Sequence, residues 1–129
     1  MKATVIDAQL RSFAIIFDDG DEVISGIEQF ARENDLQNAQ FTAIGAFRRA
    51  TFGHFHWDGK DNKRIPMDEQ LEVLTMTGNV VAGSDGHKVD ANTLVTKTDG
   101  TTHGGQLLEA VAGPKLEVML NESPRSDAA

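Results

Sequence analysis

A β-strand with apolar residues on both faces is predicted by the segment Leu71-Glu72-Val73-Leu74-Thr75-Met76-Thr77-Gly78-Asn79-Val80-Val81. Alternate side chains of a strand point to opposite faces of its sheet, and here both alternating sets contain large apolar residues. Such a strand lies in the centre of a sheet, or its second face is covered by another subunit. The segment therefore predicts a β-rich domain and leaves two explanations open for its second apolar face.

The residues after this segment predict an antiparallel hairpin. Ser84-Asp85-Gly86 is typical of a turn, and it precedes a strand from Val89 to Thr98. Asp99-Gly100 is a strong signal for a two-residue hairpin loop. An ideal hairpin closed there pairs residue 98 with 101, 97 with 102 and 96 with 103, which would place His103 opposite Thr96.

The return strand of this hairpin, residues 101–112, contains the pair Gly104-Gly105. Glycine weakens a strand unless the backbone conformation or a close approach requires it, so we predict a β-bulge at this pair. The bulge would turn Gln106 onto the face that carries Asp90 and Asn92. The alternative explanation is a small ligand that approaches the exposed backbone. A turn at Gly113-Pro114 and a last strand at 116–120 follow.

Upstream, the pattern changes from strand to helix and back to strand. The alternation of Phe13, Ile15 and Phe17 predicts a half-buried strand. A helix over about 21–34, with Asp21 and Glu22 in its first turn, is predicted from apolar residues at helical spacing, namely Val23, Ile24, Ile27, Phe30 and Ala31. β-structure returns at 41–57, and the polar segment 58–69 is predicted to be a loop.

These elements together predict an α+β fold of about seven mostly antiparallel strands with one or two helices. We expect a single domain over residues 1–129, with a core at about 10–121 and a frayed polar tail at 122–129. A chain of 129 residues is long enough to build one core without disulfide bonds.

Charge and cysteine content exclude several classes of protein. The chain has 20 Asp and Glu against 12 Lys and Arg, a net charge of −8, and no cysteine. Disulfides, thiolate metal sites and a cysteine nucleophile are therefore excluded. The negative charge disfavours nucleic acid and anionic membranes as partners. No apolar run is long enough to span a bilayer and the N-terminus lacks a signal-peptide pattern, so we expect a cytoplasmic protein without membrane contact.

Histidines are the first candidates for chemistry. His54 and His56 are two apart on a predicted strand and share a face, so they could begin a zinc site if a third ligand came from elsewhere. The alternative is a pair of ordinary surface histidines. His87 is expected to be solvated beside a turn, and neither it nor His103 makes a convincing ligand alone. Known catalytic motifs are absent from the sequence, which gives no catalytic residue and favours a protein that is not an enzyme.

The sequence resembles the PPC (plants and prokaryotes conserved) domain family over about residues 10–121. The resemblance rests on three blocks, which are Gly45-Ala46-Phe47-Arg48-Arg49-Ala50-Thr51-Phe52-Gly53-His54-Phe55, the segment 71–80, and Asp99-Gly100-Thr101-Thr102-His103-Gly104-Gly105-Gln106-Leu107-Leu108-Glu109-Ala110. It implies a barrel-like antiparallel sheet with one or two helices, and a homotrimer. Prokaryotic members of the family are often named putative DNA-binding proteins. In plants the domain accompanies AT-hook motifs and mediates self-association and partner contacts, but this chain has no AT-hook.

The resemblance also implies a ligand-binding position. Many prokaryotic relatives carry His-x-His before the Asp-Gly hairpin and a further histidine after the Gly-Gly pair, in the manner of a metal site. The matching residues here are Asp90, Asn92 and Gln106. Their oxygen donors suit zinc poorly, so we expect no metal and no cofactor. The three residues could instead form a polar cluster that holds a small ligand or water.

Three functions remain in consideration. The first is a non-enzymatic homotrimeric module with a regulatory or protein-interaction role, whose partners are its own copies and other proteins. The second is a small-molecule-binding protein or enzyme that uses Asp90, Asn92 and Gln106. The third is direct DNA binding, which needs a concentrated basic face despite the net charge of −8.

Overall fold

The computed structural model describes residues 10–55 and 62–123 of the chain. Within these ranges the chain forms six antiparallel strands and one helix, in the order β1 (Ser12–Asp18), α1 (Val23–Glu33), β2 (Asn38–Phe55), β3 (Asn62–Met67), β4 (Leu71–Gly83), β5 (Gly86–Thr96) and β6 (Thr102–Glu122). The predicted α+β class is confirmed. No helix in the described part of the chain is long and apolar enough to cross a membrane.

The sheet closes into a ring of four strands. Its order is β1-β6-β5-β4-β2-β3, and an additional pairing of β6 with β2 joins the two ends of the β6-β5-β4-β2 series. β1 and β3 are attached outside the ring, β1 to β6 and β3 to β2. β2 runs through Gly45 as one long strand and pairs with β6 from Ala39 to Gly53.

Helix α1 packs against β5 and β6. Its apolar stripe is buried through Val23, Ile27 and Ala31, as the spacing predicts. The helix is shorter than the predicted 21–34 because Glu22 is its N-cap. The Glu22 side chain accepts hydrogen bonds from the backbone N–H of Ser25 and of Ala110, both at 2.9 Å. One carboxylate thus begins the helix and ties it to β6.

The core lies on the inner face of the ring. Its largest fully buried side chains include Phe47, Phe52, Leu71, Met76 and Leu116. On β4 the inner residues are buried, whereas Leu74 and Val81 on the outer face are 52% and 46% exposed. β4 therefore has a partner strand on each side and still carries exposed apolar side chains on its outer face.

The predicted loop at 58–69 is wrong where the structure describes it. Residues 62–67 form β3, which pairs with β2 through Phe52 and Ile65 and through Ala50 and Met67. Lys63, Arg64 and Pro66 made the segment look like a loop, but an edge strand tolerates both charged residues and proline because one side of its backbone needs no partner strand. The rest of the predicted 41–57 strand, including His56, lies outside the described residues.

The hairpin after β5 has a different register from the predicted one. Thr96 pairs with Thr102 and Val95 with His103, so every pair is displaced by one residue. The loop has three residues, closed by the hydrogen bond from Lys97 N–H to Thr101 O, and Gly100 adopts φ +86°. A type I turn followed by a left-handed glycine makes such a loop, and the same Asp-Gly pair serves both loop lengths.

The bulge predicted at Gly104-Gly105 is also wrong. The β5–β6 register is continuous from Asn92–Gln106 to Thr96–Thr102. Gly104 is needed for a close approach, because a Cβ there would lie 2.2 Å from the Thr93 carbonyl oxygen. The irregularity in β6 falls instead at Leu108, between the pairs that β6 makes with Thr51 and Phe52 of β2.

The C-terminal part of β6 differs from the prediction in two further ways. No turn separates two strands at Gly113-Pro114, because β6 continues through this pair and carries extra residues there relative to β2. Glu122, expected in the frayed tail, is the last residue of β6 and bonds to Arg11. The remainder of the tail, residues 124–129, lies outside the described residues.

Candidate functional site

Asp90, Asn92 and Gln106 point to the same side of the sheet. Asn92 of β5 lies directly opposite Gln106 of β6, and Asp90 is two residues before Asn92 on the same strand. Directly opposed residues and residues two apart share a face. The three side chains are thus brought together on the outer face of the ring, by a regular register rather than by the predicted bulge.

A depression of about 440 Å³ lies on the outer face beside Asp90 and Asn92, on the side away from Gln106. Its floor is the β-sheet at Phe41 and Gly78. Its polar lining comes from four adjacent strands, namely Gln40 and Thr42 of β2, Thr77 and Asn79 of β4, Asp90 and Asn92 of β5, and Asn121 of β6. Gln106 does not line it.

The polar lining is arranged in two rows that run across the strands. The first row is formed by the paired residues Asn121–Gln40, Gln40–Asn79 and Asn79–Asp90. The second row is formed by Thr42–Thr77, Thr77–Asn92 and Asn92–Gln106. Sequence reasoning found the β5 and β6 members. It missed those on β2 and β4, since their proximity depends on strand register.

The side chains of these rows are largely free to bind a ligand. Asn121 accepts a 2.8 Å hydrogen bond from the Ser12 hydroxyl. In the described part of the chain, no side-chain hydrogen bond uses Gln40, Asn79, Asp90 or Asn92. The depression therefore presents amide donors, amide acceptors and one carboxylate to solvent.

This donor set does not fit a zinc ion. Zinc sites in proteins use cysteine, histidine and carboxylate ligands, and the depression has only Asp90 from that set among its lining residues. Within residues 10–55 and 62–123, no three His, Cys, Asp or Glu residues are grouped so that they could hold a metal ion. His54 is exposed and lies opposite Lys63. The positive charge of Lys63 disfavours the binding of a metal ion at His54.

Two further histidines in the described residues make hydrogen bonds within the protein. His87, expected to be solvated, is partly buried, and its Nε2 lies 2.7 Å from the Leu36 carbonyl oxygen, to which it donates. His103 Nε2 lies 2.9 Å from the Thr101 hydroxyl, which is 2.6 Å from Asp99 Oδ1. The hydroxyl has one proton and the carboxylate can only accept it, so His103 is the donor to Thr101. His103 thus cannot act as a base toward Thr101 in this arrangement.

An apolar belt crosses the outer face next to the depression. We define it by Ile16, Ile44, Leu74, Leu94 and Met119, which are between 45% and 65% exposed. The strand register gives their relative positions. Ile16 of β1 and Ile44 of β2 lie on either side of Glu117 of β6. Leu94 of β5 lies opposite Thr75 of β4, which is the neighbour of Leu74. In the sequence, the second apolar face of 71–81 was the one signal for this belt.

Four basic residues in the described part of the chain are paired with carboxylates. Arg11 pairs with Glu122 at 2.8 Å, Arg64 with Glu109 at 3.0 Å, Lys97 with Glu69 at 3.4 Å, and Arg48 with Asp19. Hydrogen bonds from the Arg11 side chain and backbone lower the pKa of Glu122. The hydrogen bonds that Asp99 accepts from the Thr101 hydroxyl and backbone N–H lower its pKa.

The closed ring with its attached strands and single described helix is a PPC-type fold. The family model of the Plants and Prokaryotes Conserved (PCC) domain matches residues 6–124, and the chain belongs to this family. No curated protein matches the sequence.

Several solved structures share the fold. A plant- and prokaryote-conserved (PPC) protein from Pyrococcus horikoshii is 24% identical, with a TM-score of 0.84 over 96% of this chain and 85% of that one. A metal-containing protein from Archaeoglobus fulgidus is 28% identical, with a TM-score of 0.82 over 94% and 86%. A “putative DNA binding protein” from Bacteroides thetaiotaomicron is 20% identical, with a TM-score of 0.81 over 88% and 79%.

Proposed function

We propose that this protein is a non-enzymatic, homotrimeric PPC-domain protein with a regulatory or protein-interaction role in the cytoplasm. The observation that carries the proposal is the exposed apolar belt. Five large apolar side chains are exposed on the outer face, and exposed apolar surface of this kind is typical of interaction sites.

A second copy of the chain is the partner that best suits this belt. Each chain carries a net charge of −8, so two copies repel each other unless they meet through a surface with little charge. The belt is bordered by threonines at 42, 75 and 77 and contains one charged side chain, Glu117, which is partly buried. Burial of such a surface between copies would remove apolar area from water at little electrostatic cost.

The trimeric state is the assembly that membership of the family supports. Three copies close into a ring when each contributes two different patches to its neighbours, and the belt is wide enough, from β1 to β5, to supply patches of both kinds. Sedimentation equilibrium at micromolar concentration tests this. We expect the mass of three 14.0 kDa chains, and a purely monomeric protein would rule out the assembly.

In this proposal the protein associates with DNA only through partner proteins. Two similar structures, from Bacteroides thetaiotaomicron and Ralstonia eutropha, are named putative DNA-binding proteins, but four of the described cations of this chain, Arg11, Arg48, Arg64 and Lys97, are paired with carboxylates. Direct binding needs several unpaired cations on one face. We therefore expect no shift of duplex DNA in a gel at low salt, and a salt-dependent shift would reverse this part of the proposal.

A second candidate function is small-molecule binding at Asp90, Asn92 and Gln106. It is favoured by one observation, the exposed and unbonded polar rows beside a depression of about 440 Å³. No catalytic residue, metal or cofactor is part of this candidate. Its general test is whether substitution of Asp90 or Asn92 removes binding of any small molecule that the unmodified protein binds.

A further inference from the structure

We infer that the depression between β2, β4 and β5 binds an uncharged polyhydroxylated molecule of the size of a sugar ring. This inference rests on the second candidate function and gives it a ligand class. It also moves the centre of the site away from Gln106 to Gln40, Asn79 and Asp90, which lie side by side on three adjacent strands.

The composition of the first row needs an explanation other than sheet stability. Asn and Asp are among the residues depleted in strands, yet Asn121, Gln40, Asn79 and Asp90 follow one another across four strands. Gln40, Asn79 and Asp90 make no side-chain hydrogen bond with any described residue, so their side chains contribute little to the stability of the sheet. Departures from local preference of this kind are expected where side chains serve binding.

The charges of the lining disfavour anions. Among the described residues, no Lys or Arg lines the depression and Asp90 is its one charged residue. A phosphate or carboxylate would face this carboxylate without a compensating cation, which disfavours its binding. A single carboxylate among amides and hydroxyls is also a poor donor set for zinc, which prefers nitrogen and sulfur ligands.

The remaining chemistry matches hydroxyl groups. A sugar hydroxyl can donate to the Asp90 carboxylate and accept from an amide N–H of Asn79, Gln40 or Asn92, and the amide oxygens can accept further hydroxyl protons. Among the described residues, the site offers no exposed aromatic face for stacking, because Phe41 lies in the floor and is 2% exposed. Recognition therefore depends on hydrogen bonds, which a polyol supplies at several positions around its ring.

Amide NMR shifts of the full chain can test this inference. The neutral probes are D-glucose, D-galactose, D-mannose and myo-inositol, and the charged counterparts are glucose 6-phosphate and glucuronate, each up to about 10 mM. We expect at least one neutral probe to shift the amide signals of residues 77–79 and 90–92 saturably. Glucose 6-phosphate and glucuronate should bind at least about tenfold more weakly than that probe, because the Asp90 carboxylate repels their negative charge.

Substitutions on the same strands separate binding from folding. Asn79→Thr and Asp90→Thr should abolish the shifts while keeping the fold, since threonine suits a strand. Lys88→Thr is the matched control, because Lys88 lies on the same strand and face as Asp90 but outside the depression, and it should leave the shifts unchanged.

The opposing outcomes are distinguishable. Equal or tighter binding of a charged probe at these residues would overturn the ligand class and leave the small-molecule site standing. Shifts that persist in both Asn79→Thr and Asp90→Thr would overturn the location. No saturable shift at these residues with any probe would overturn the inference, whereas the candidate function is decided by its own test with other small molecules and the proposed trimer by sedimentation.

Discussion

Asn92 and Gln106 lie directly opposite each other across β5 and β6. The three-residue loop at the hairpin tip sets this pairing, because a two-residue loop would shift every pair by one position and move one of the two side chains to the other face. A local feature of the turn, Gly100 at φ +86°, therefore controls which residues meet on the outer face about five residue pairs away.

Replacing Gly100 with alanine should destabilise the protein. A side chain at φ +86° is strained, and alanine at a left-handed position costs about 1 kcal/mol in free energy of unfolding. Urea denaturation measures this cost. Thr98→Ala in the same loop is the control and should change the midpoint much less, and equal effects of the two changes would refute the role given to Gly100.

A zinc site should appear when three residues are changed together. The triple variant Asp90→His, Asn92→His and Gln106→His places three imidazoles on one face. Two of them are two residues apart on β5, and the third is on β6 directly opposite the second. This arrangement suits three of the four ligands of zinc. We expect it to bind cobalt with a visible absorption spectrum typical of tetrahedral coordination. The unmodified protein should bind neither metal.

The matched control for this experiment moves one histidine out of reach. In the variant Lys88→His, Asn92→His and Gln106→His, the first imidazole is four strand residues from the second, roughly 13 Å along the strand. It should bind cobalt far more weakly. Stoichiometric zinc in the unmodified protein would show that the oxygen donors of Asp90, Asn92 and Gln106 do serve as ligands after all.

A charge in the apolar belt should dissociate the proposed trimer. Leu94→Asp and Ile44→Asp would each bury an unpaired carboxylate at the interface, at a cost of several kcal/mol, and sedimentation should then report monomers. Val81→Asp is the control, because Val81 is similarly exposed on the outer face but lies outside the belt. Monomers from all three variants would argue against this belt as the interface.

Acid should weaken the attachment of β1 to the end of β6. Hydrogen bonds from Arg11 lower the pKa of Glu122 below its ordinary 4.5. A lowered pKa in the folded state means that the contribution to stability is complete above the ordinary value and is lost as the pH falls through the folded one. Glu122→Gln should therefore remove part of the loss of stability that the unmodified protein shows as the pH falls below about 4.5.

Urea midpoints measured across this pH range test the role of Glu122. Glu28→Gln on α1 is the control, since Glu28 is partly exposed and makes no ion pair with any described residue. If both variants show the same acid dependence as the unmodified protein, the pair of Arg11 and Glu122 does not contribute to it.

Much of the fold follows from local patterns. The stripe of Val23, Ile27 and Ala31 identifies α1, because a helix that packs on one side must repeat its apolar residues every three or four positions. The strand at 71–81 was recognised in the same way. β3 was missed because Pro66 and two cations are typical of loops and of edge strands alike, and only pairing with β2 distinguishes them.

The sequence predicts the members of the candidate site on β5 and β6 but not those on β2 and β4. Asp90, Asn92 and Gln106 are separated by a single hairpin, so their proximity could be predicted even with the register wrong by one residue. Gln40 and Asn79 are ordinary exposed polar residues in the sequence. Their position beside Asp90 depends on the β2–β4 and β4–β5 registers, which no local pattern specifies.

The acidic, cysteine-free composition, the helix, most of the strands and the family follow from residue type and short-range periodicity, which can be read in the sequence. The hairpin register, the place of β3, and the grouping of residues from different strands into the polar depression and the apolar belt follow only from the folded chain. Neighbours within a strand are set by the chain itself. Neighbours across strands are set by where a closed ring of backbone hydrogen bonds brings distant segments into register.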